Sequence, residues 1–220
     1  MIRLLTAGFI GALLLASALR AAEGGDSALA AYAVYATELY IGATIIAAIA
    51  LGACGLRLDR VGFAGGLKLE HAALALFGVA ALQGGHLAID FLLTDVFGVA
   101  RDLSRFEAVA TSPAALFSAL ALSWTFAAFG EEIAYRVVLL RGLAASLGGG
   151  AGASAAALVL QAALFGLAHA YQGPAGVAGS AFSGLVFGAL VLAARRSVWP
   201  AVLAHGLNNT IGLVALYLER

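Results

Sequence analysis

Charge is what this chain has least of: 11% of its 220 residues are Asp, Glu, Lys or Arg, where a soluble domain carries about a quarter. That is too little to clothe a globule of this length in water. Proline is scarce as well, standing only at 113, 174 and 200, so little interrupts long helices. The single cysteine, Cys54, excludes an internal disulfide and a cysteine-built metal site. Twelve basic residues against twelve acidic ones leave no net charge, hence no electrostatic footprint for nucleic acid. What is abundant is apolar: 63% of the chain, at a mean hydropathy of +1.00. At roughly 20 residues per bilayer crossing this supplies about seven spans and little else.

The apolar stretches are continuous and do not alternate, which favours helices over barrel strands. The expected fold is all-α, a polytopic transmembrane helical bundle in which residues 1–220 form a single membrane domain, with no internal repeat or linker. The expected spans are Leu4 to Leu19, about Leu29 to Leu56, Ala72 to about Thr94, a fourth beginning at Pro113, then Gly152 to His169, Val177 to Ala194 and Val198 to Leu218. The first, with Arg3 ahead of it and Ala16, Ala18 and Ala21 near its end, also fits a signal peptide. With the N-terminus cytoplasmic, the inner segments hold Arg3, Arg57, Arg60, Lys68, Arg136, Arg141, Arg195 and Arg196, and the outer ones Arg20, Arg101, Arg105 and Arg220. Eight against four sets the N-in orientation under the positive-inside rule, and Trp199 fits an interfacial anchor. The expected location is a bacterial inner (plasma) membrane, with the lipid bilayer itself as one partner.

Ionisable groups inside a bilayer are costly, so each is a functional candidate. Glu38, His86 and Asp90 fall in the second and third spans, Glu131, Glu132 and Arg136 in the fourth, and His169, His205, Asn208 and Asn209 in the fifth and seventh. His86 and Asp90, one helical turn apart, read most simply as partners of each other. Tyr35 and Tyr40 read as packing or lipid-facing residues. The small residues from Gly176 to Gly188 in the sixth span suit close helix packing. Glu132 and Arg136 have the spacing and order of a helical ion pair, which leaves Glu131 without a local basic partner. Positions 131 and 169 each lie 19 residues from Gly150, in the glycine-rich turn. An antiparallel hairpin closing there brings Glu131 and His169 to similar depth, while His205 and Asn209 share one face of the last helix. At that depth the Ala170-to-Gly176 link lies inside the bilayer, where its backbone needs internal partners.

A carboxylate and an imidazole sharing a water can activate it, and a second imidazole with an amide can stabilise an oxyanion. That assigns Glu131 as general base, His169 as its partner on the water, and His205 with Asn209 as the oxyanion hole. Glu131, His169 and His205 could instead be three ligands of a catalytic zinc. Residue types and spacing leave both open. No Gly-x-Ser-x-Gly elbow or His-Glu-x-x-His motif occurs.

Glu131-Glu132-x-x-x-Arg136, Phe165-x-x-x-His169 and His205-x-x-x-Asn209, in that order, resemble the three motifs of the CPBP intramembrane proteases, also called Abi or type II CAAX prenyl endopeptidases. The resemblance covers the C-terminal half, residues 113–218, as a catalytic core. It implies an intramembrane endopeptidase of the glutamic type without a cofactor, zinc being the second choice. The substrate would be a membrane-anchored protein or peptide. It also implies that Glu131 and His169 activate water, that His205 and Asn209 hold the oxyanion, and that Glu132 and Arg136 are structural or substrate-orienting. Val137 departs from the glycine that many members carry. Two other classes remain: a proton-coupled transporter, and a non-enzymatic bacteriocin-immunity or scaffold membrane protein. A transporter is expected to carry related polar positions in two halves, whereas here the cluster lies in one.

Overall fold

The computed structural model describes residues 2–22, 36–53, 62–63 and 66–219. Glu23, Tyr35, Cys54, Arg57, Arg60 and Arg220, the side chains of Arg20 and Glu38, and both ends of the second expected span lie outside the described residues. Among the described residues seven long helices run in chain order: α1 (Ile2–Ala21), α2 (Ala36–Ala53), α3 (Leu69–Val96), α4 (Pro113–Ser146), α5 (Gly150–Ala168), α6 (Gly173–Ala193) and α7 (Trp199–Leu218). There is no strand among the described residues. Six of the helices, α1 and α3 to α7, are among the described residues long and apolar enough to cross a membrane, and the protein is an all-α membrane bundle.

The long α4 is started by Ser112, whose Oγ accepts from the Ala115 amide at 3.1 Å, and by Pro113 in its first turn. Across 123–131 and again across 133–140 its winding widens to the π form, a local distortion that recurs at functional sites. The second of these stretches is enclosed on all sides: every residue from Ala134 to Leu140 is buried. Arg136 therefore belongs to the interior and carries no topological weight as a loop charge, which lowers the inner count from eight to seven.

α1 is a packed member of the bundle. Phe9 and Leu13 are buried, Phe9 lies edge-on to Tyr135 at 5.4 Å, and Thr6 Oγ1 donates to the Val138 carbonyl at 3.1 Å. α4 and α5 are joined through Gly148, Gly149 and Gly150, all at positive φ (94°, 78° and 84°), a conformation that side chains resist. This hairpin sets the relative depth of the two helices.

α5 and α6 pack backbone to backbone. A Cβ on Gly166 would lie 2.6 Å from the Val177 carbonyl oxygen, and one on Gly184 would lie 2.9 Å from the Ala162 Cα, the close approach that small residues permit in membrane helices. Gly166→Ala should therefore destabilise the bundle by about 1–3 kcal/mol, as over-packing does. Thermal unfolding in detergent reads this, and an unchanged midpoint would mean that the two helices can part without cost.

The link from α5 to α6 is a single tight turn, Ala170–Gln172, and α6 begins at Gly173 rather than at Val177. Its backbone is satisfied internally: the Gln172 amide donates to the His169 carbonyl at 2.9 Å, and the Gln172 carbonyl accepts from the Asp102 amide at 3.0 Å. Arg101 Nε also donates to Gln172 Oε1 at 2.6 Å. The segment between α3 and α4 thus closes over the link and supplies the partners that membrane depth demands.

Candidate active site

Glu131 ends the first widened stretch of α4 and Glu132 stands between it and the second, and both are buried, at 5% and 0% exposure. Glu132 serves two partners. Its Oε2 lies 3.0 Å from Arg136 Nε, and its Oε1 accepts from His205 Nδ1 at 2.9 Å. The i,i+4 pairing of the acid and the arginine is thus extended by an imidazole from α7. Arg136 is itself wholly buried, with its guanidinium carbon 4.8 Å from the Phe165 ring, 5.2 Å from Phe187 and 5.6 Å from Tyr135. Aromatic faces replace part of the hydration that a buried cation loses.

Glu131 faces a different set. Tyr40 of α2 donates its hydroxyl to Glu131 Oε1 at 2.7 Å. The other oxygen, Oε2, is buried without a hydrogen-bond partner among the described residues and lies 4.0 Å from His205 Nε2. Tyr135 Oη and the Arg136 guanidinium nitrogens likewise lack a partner that meets hydrogen-bond geometry. Such a concentration of unsatisfied buried polar atoms is the usual signature of an ordered water site. A separation of 4.0 Å is too long for a direct hydrogen bond and short enough for one water to bridge at an angle.

His205 is held on three sides. Glu132 takes Nδ1, Phe187 stacks on the ring at 4.6 Å with an interplanar angle of 18°, and Phe165 meets it edge-on at 6.0 Å. Close packing on α7 helps to place it: a Cβ on Gly206 would lie 2.4 Å from the Trp124 ring, whose Nε1 donates to Thr210 Oγ1 at 3.1 Å. His169 ends α5. Its Nδ1 lies 2.8 Å from the Phe165 carbonyl, which can only accept, so Nδ1 carries the proton and Nε2 the lone pair of the neutral ring. The Phe165 ring meets both histidines, 4.7 Å from His169 and 6.0 Å from His205.

The imidazole within ion-pair distance of both glutamates is that of His205. Asn209 lies one turn beyond His205 and is half-buried. Its neighbour Asn208 accepts from Gln83 Nε2 at 2.9 Å, tying α7 to α3. Among the described residues no three His, Cys, Asp or Glu side chains are gathered closely enough to hold a metal ion.

One other expectation changes. His86 Nε2 is engaged by Ser183 Oγ at 2.9 Å and the Gly179 carbonyl at 3.3 Å, both on α6, so that nitrogen serves a neighbouring helix and not Asp90. Trp199 meets Phe63 and Phe129 edge-on, with centroids at 5.3 and 5.9 Å. Tyr40 is the residue that sequence reasoning passed over. Its signal was available only as a hydroxyl on an apolar helix, which packing explains equally well.

The comparisons bear on the same helices. Residues 113–211, which run from the start of α4 into α7, match the family model described as type II CAAX prenyl endopeptidase Rce1-like. Nothing matches among curated proteins or among solved structures.

Proposed function

We infer that this chain, which over residues 113–211 belongs to the Rce1-like family of type II CAAX prenyl endopeptidases, is an intramembrane protease in which Glu131 activates the attacking water. The observation that carries this reading is the unpartnered, buried Glu131 Oε2 facing His205 Nε2 across 4.0 Å. Water in that gap donates one proton to Glu131 as its oxygen attacks the substrate carbonyl. His205, protonated on both nitrogens, donates through Nδ1 to Glu132 and through Nε2 to the oxyanion, with the Asn209 amide as a second donor. Glu131 then returns its proton to the leaving amine, and the other water proton stays on the new carboxyl group. His169 takes a share in orienting the water from the outer end of α5. Glu132 and Arg136 set the His205 ring.

No metal enters the reaction as proposed. Activity should survive dialysis against a strong zinc chelator, and loss that only zinc restores would overturn the scheme. The substrate is a membrane-anchored protein or peptide presented to the bundle itself. N-terminal residues in the cytoplasm and a bacterial inner membrane remain our assignment of topology and place. The test compares the termini and intact masses of membrane and secreted proteins in cells carrying the native protein or Glu131→Gln. A processed form that vanishes only in the variant identifies substrate and cleavage site together. Unchanged processing, beside a phenotype that survives the substitution, would move the scaffold reading to first place.

Tyr40 enters as a positioning residue. By holding Oε1 it fixes the carboxylate so that Oε2 points at the water. Tyr40→Phe should lower kcat roughly ten- to a hundredfold with KM nearly unchanged, the range of a lost hydrogen bond to a charged group. An equal loss in folding stability with kcat intact would leave the tyrosine a packing role only.

A further inference from the structure

At the opposite end of the bundle from the Ala170–Gln172 turn, the start of α3, the last turns of α4 and the connection from α6 to α7 border an open cavity of about 640 Å³. Lys68, Glu70, His71, Arg141, Arg195 and Arg196 line it. Lys68 and Glu70 approach each other at 3.7 Å. The three arginines have no carboxylate at ion-pair distance among the described residues. Arg141 Nη2 donates to the Arg196 carbonyl at 2.8 Å, while its Nε is buried without a hydrogen-bond partner among the described residues.

The backbone here is also unusual. Arg195 and Arg196 both hold positive φ, 51° and 72°, and are the only residues other than glycine to do so among those described. Side chains resist that conformation, and it persists where the surroundings over-determine it, often at ligand clamps. The turn sets two like charges side by side, with Arg141 as a third.

A second cavity, of about 200 Å³, opens on the other side of the same arginines. Leu140, Ala144, Val191 and Leu192 line it together with Arg141 and Arg196. A cationic cavity and a largely apolar one therefore share two arginines, at the level where helices leave the membrane and headgroups lie. Anionic headgroups are bound by basic pockets between spans in this way.

We propose that the Lys68, Arg141, Arg195 and Arg196 cavity binds the phosphate headgroup of an anionic phospholipid, whose glycerol and upper acyl carbons enter the adjoining apolar cavity. The phosphate chemistry alone would suit free inorganic phosphate. The apolar cavity is what favours a lipid. This site is separate from the glutamate cluster, and its occupancy is independent of proteolysis.

The test uses delipidated full-length protein in a neutral detergent, read by thermal unfolding with phosphatidylglycerol, phosphatidylcholine or inorganic phosphate added. Phosphatidylglycerol should raise the midpoint saturably where phosphatidylcholine does not. Replacing both exposed arginines (R195A with R196A) should weaken that response roughly thirty-fold. Should that pair fail to fold, Arg195→Gln alone should weaken it roughly fivefold. Ser154→Phe, which narrows the apolar cavity, should weaken phosphatidylglycerol binding too. An equal shift with inorganic phosphate alone would make this a free-anion site and overturn the lipid assignment. An equal shift with phosphatidylcholine, or an undiminished response in the arginine variants, would overturn the site altogether.

Discussion

Glu131→Gln is expected to lower peptide hydrolysis by roughly a hundred- to ten-thousand-fold, the contribution of a general base, while the protein folds as before. Glutamine has the same shape, and its amide oxygen can keep the 2.7 Å contact from Tyr40. What it loses is the capacity to accept a proton from water at the second oxygen. Substrate binding should change little, because that oxygen faces His205 and the proposed water rather than the substrate chain, so the loss should fall on kcat. Purified protein in liposomes, with a fluorogenic membrane-anchored peptide, separates the two constants. A variant that retains native activity would remove Glu131 from the chemistry. A variant that aggregates would show that the buried carboxylate is needed for the fold, and Glu131→Asp would then be the fairer probe.

Glu132→Ala should be the most damaging single change to the fold, at about 3–5 kcal/mol, the cost of leaving a buried ion without its partner. Arg136 is fully buried, and among the described residues Glu132, 3.0 Å away, is its only carboxylate at ion-pair distance. Nearby rings soften the loss without cancelling it. His205 would also lose the acceptor of its Nδ1 proton. Chemical unfolding in micelles measures the effect. Replacing both members with methionine should recover most of the stability, since apolar groups of similar volume can stand in for a buried ion pair. It should not recover activity, because nothing would then orient the His205 ring. Full activity in the double variant would reduce the pair to a device for folding.

The all-α class, the approximate number of spans and the three clusters of polar residues were legible in the sequence because each depends on short-range facts. Continuous apolar runs leave a backbone no choice but helix in lipid, and the i,i+4 spacing of Glu132 and Arg136 places them on one face wherever the helix lies. The glycine-rich turn likewise announced the α4–α5 hairpin, since three successive positive φ angles suit glycine alone. Which groups touch across helices was decided only by the tertiary structure. Helical spacing sets the angle around an axis but says nothing of how axes are rotated against one another, and in this bundle glycines at 166, 184 and 206 set how closely they approach. So His205 comes against the two glutamates, Phe165 touches both histidine rings, and His86 meets Ser183. Tyr40 shows the same limit: 91 residues separate it from Glu131 along the chain, and no local pattern joins a hydroxyl on one apolar helix to a carboxylate on another.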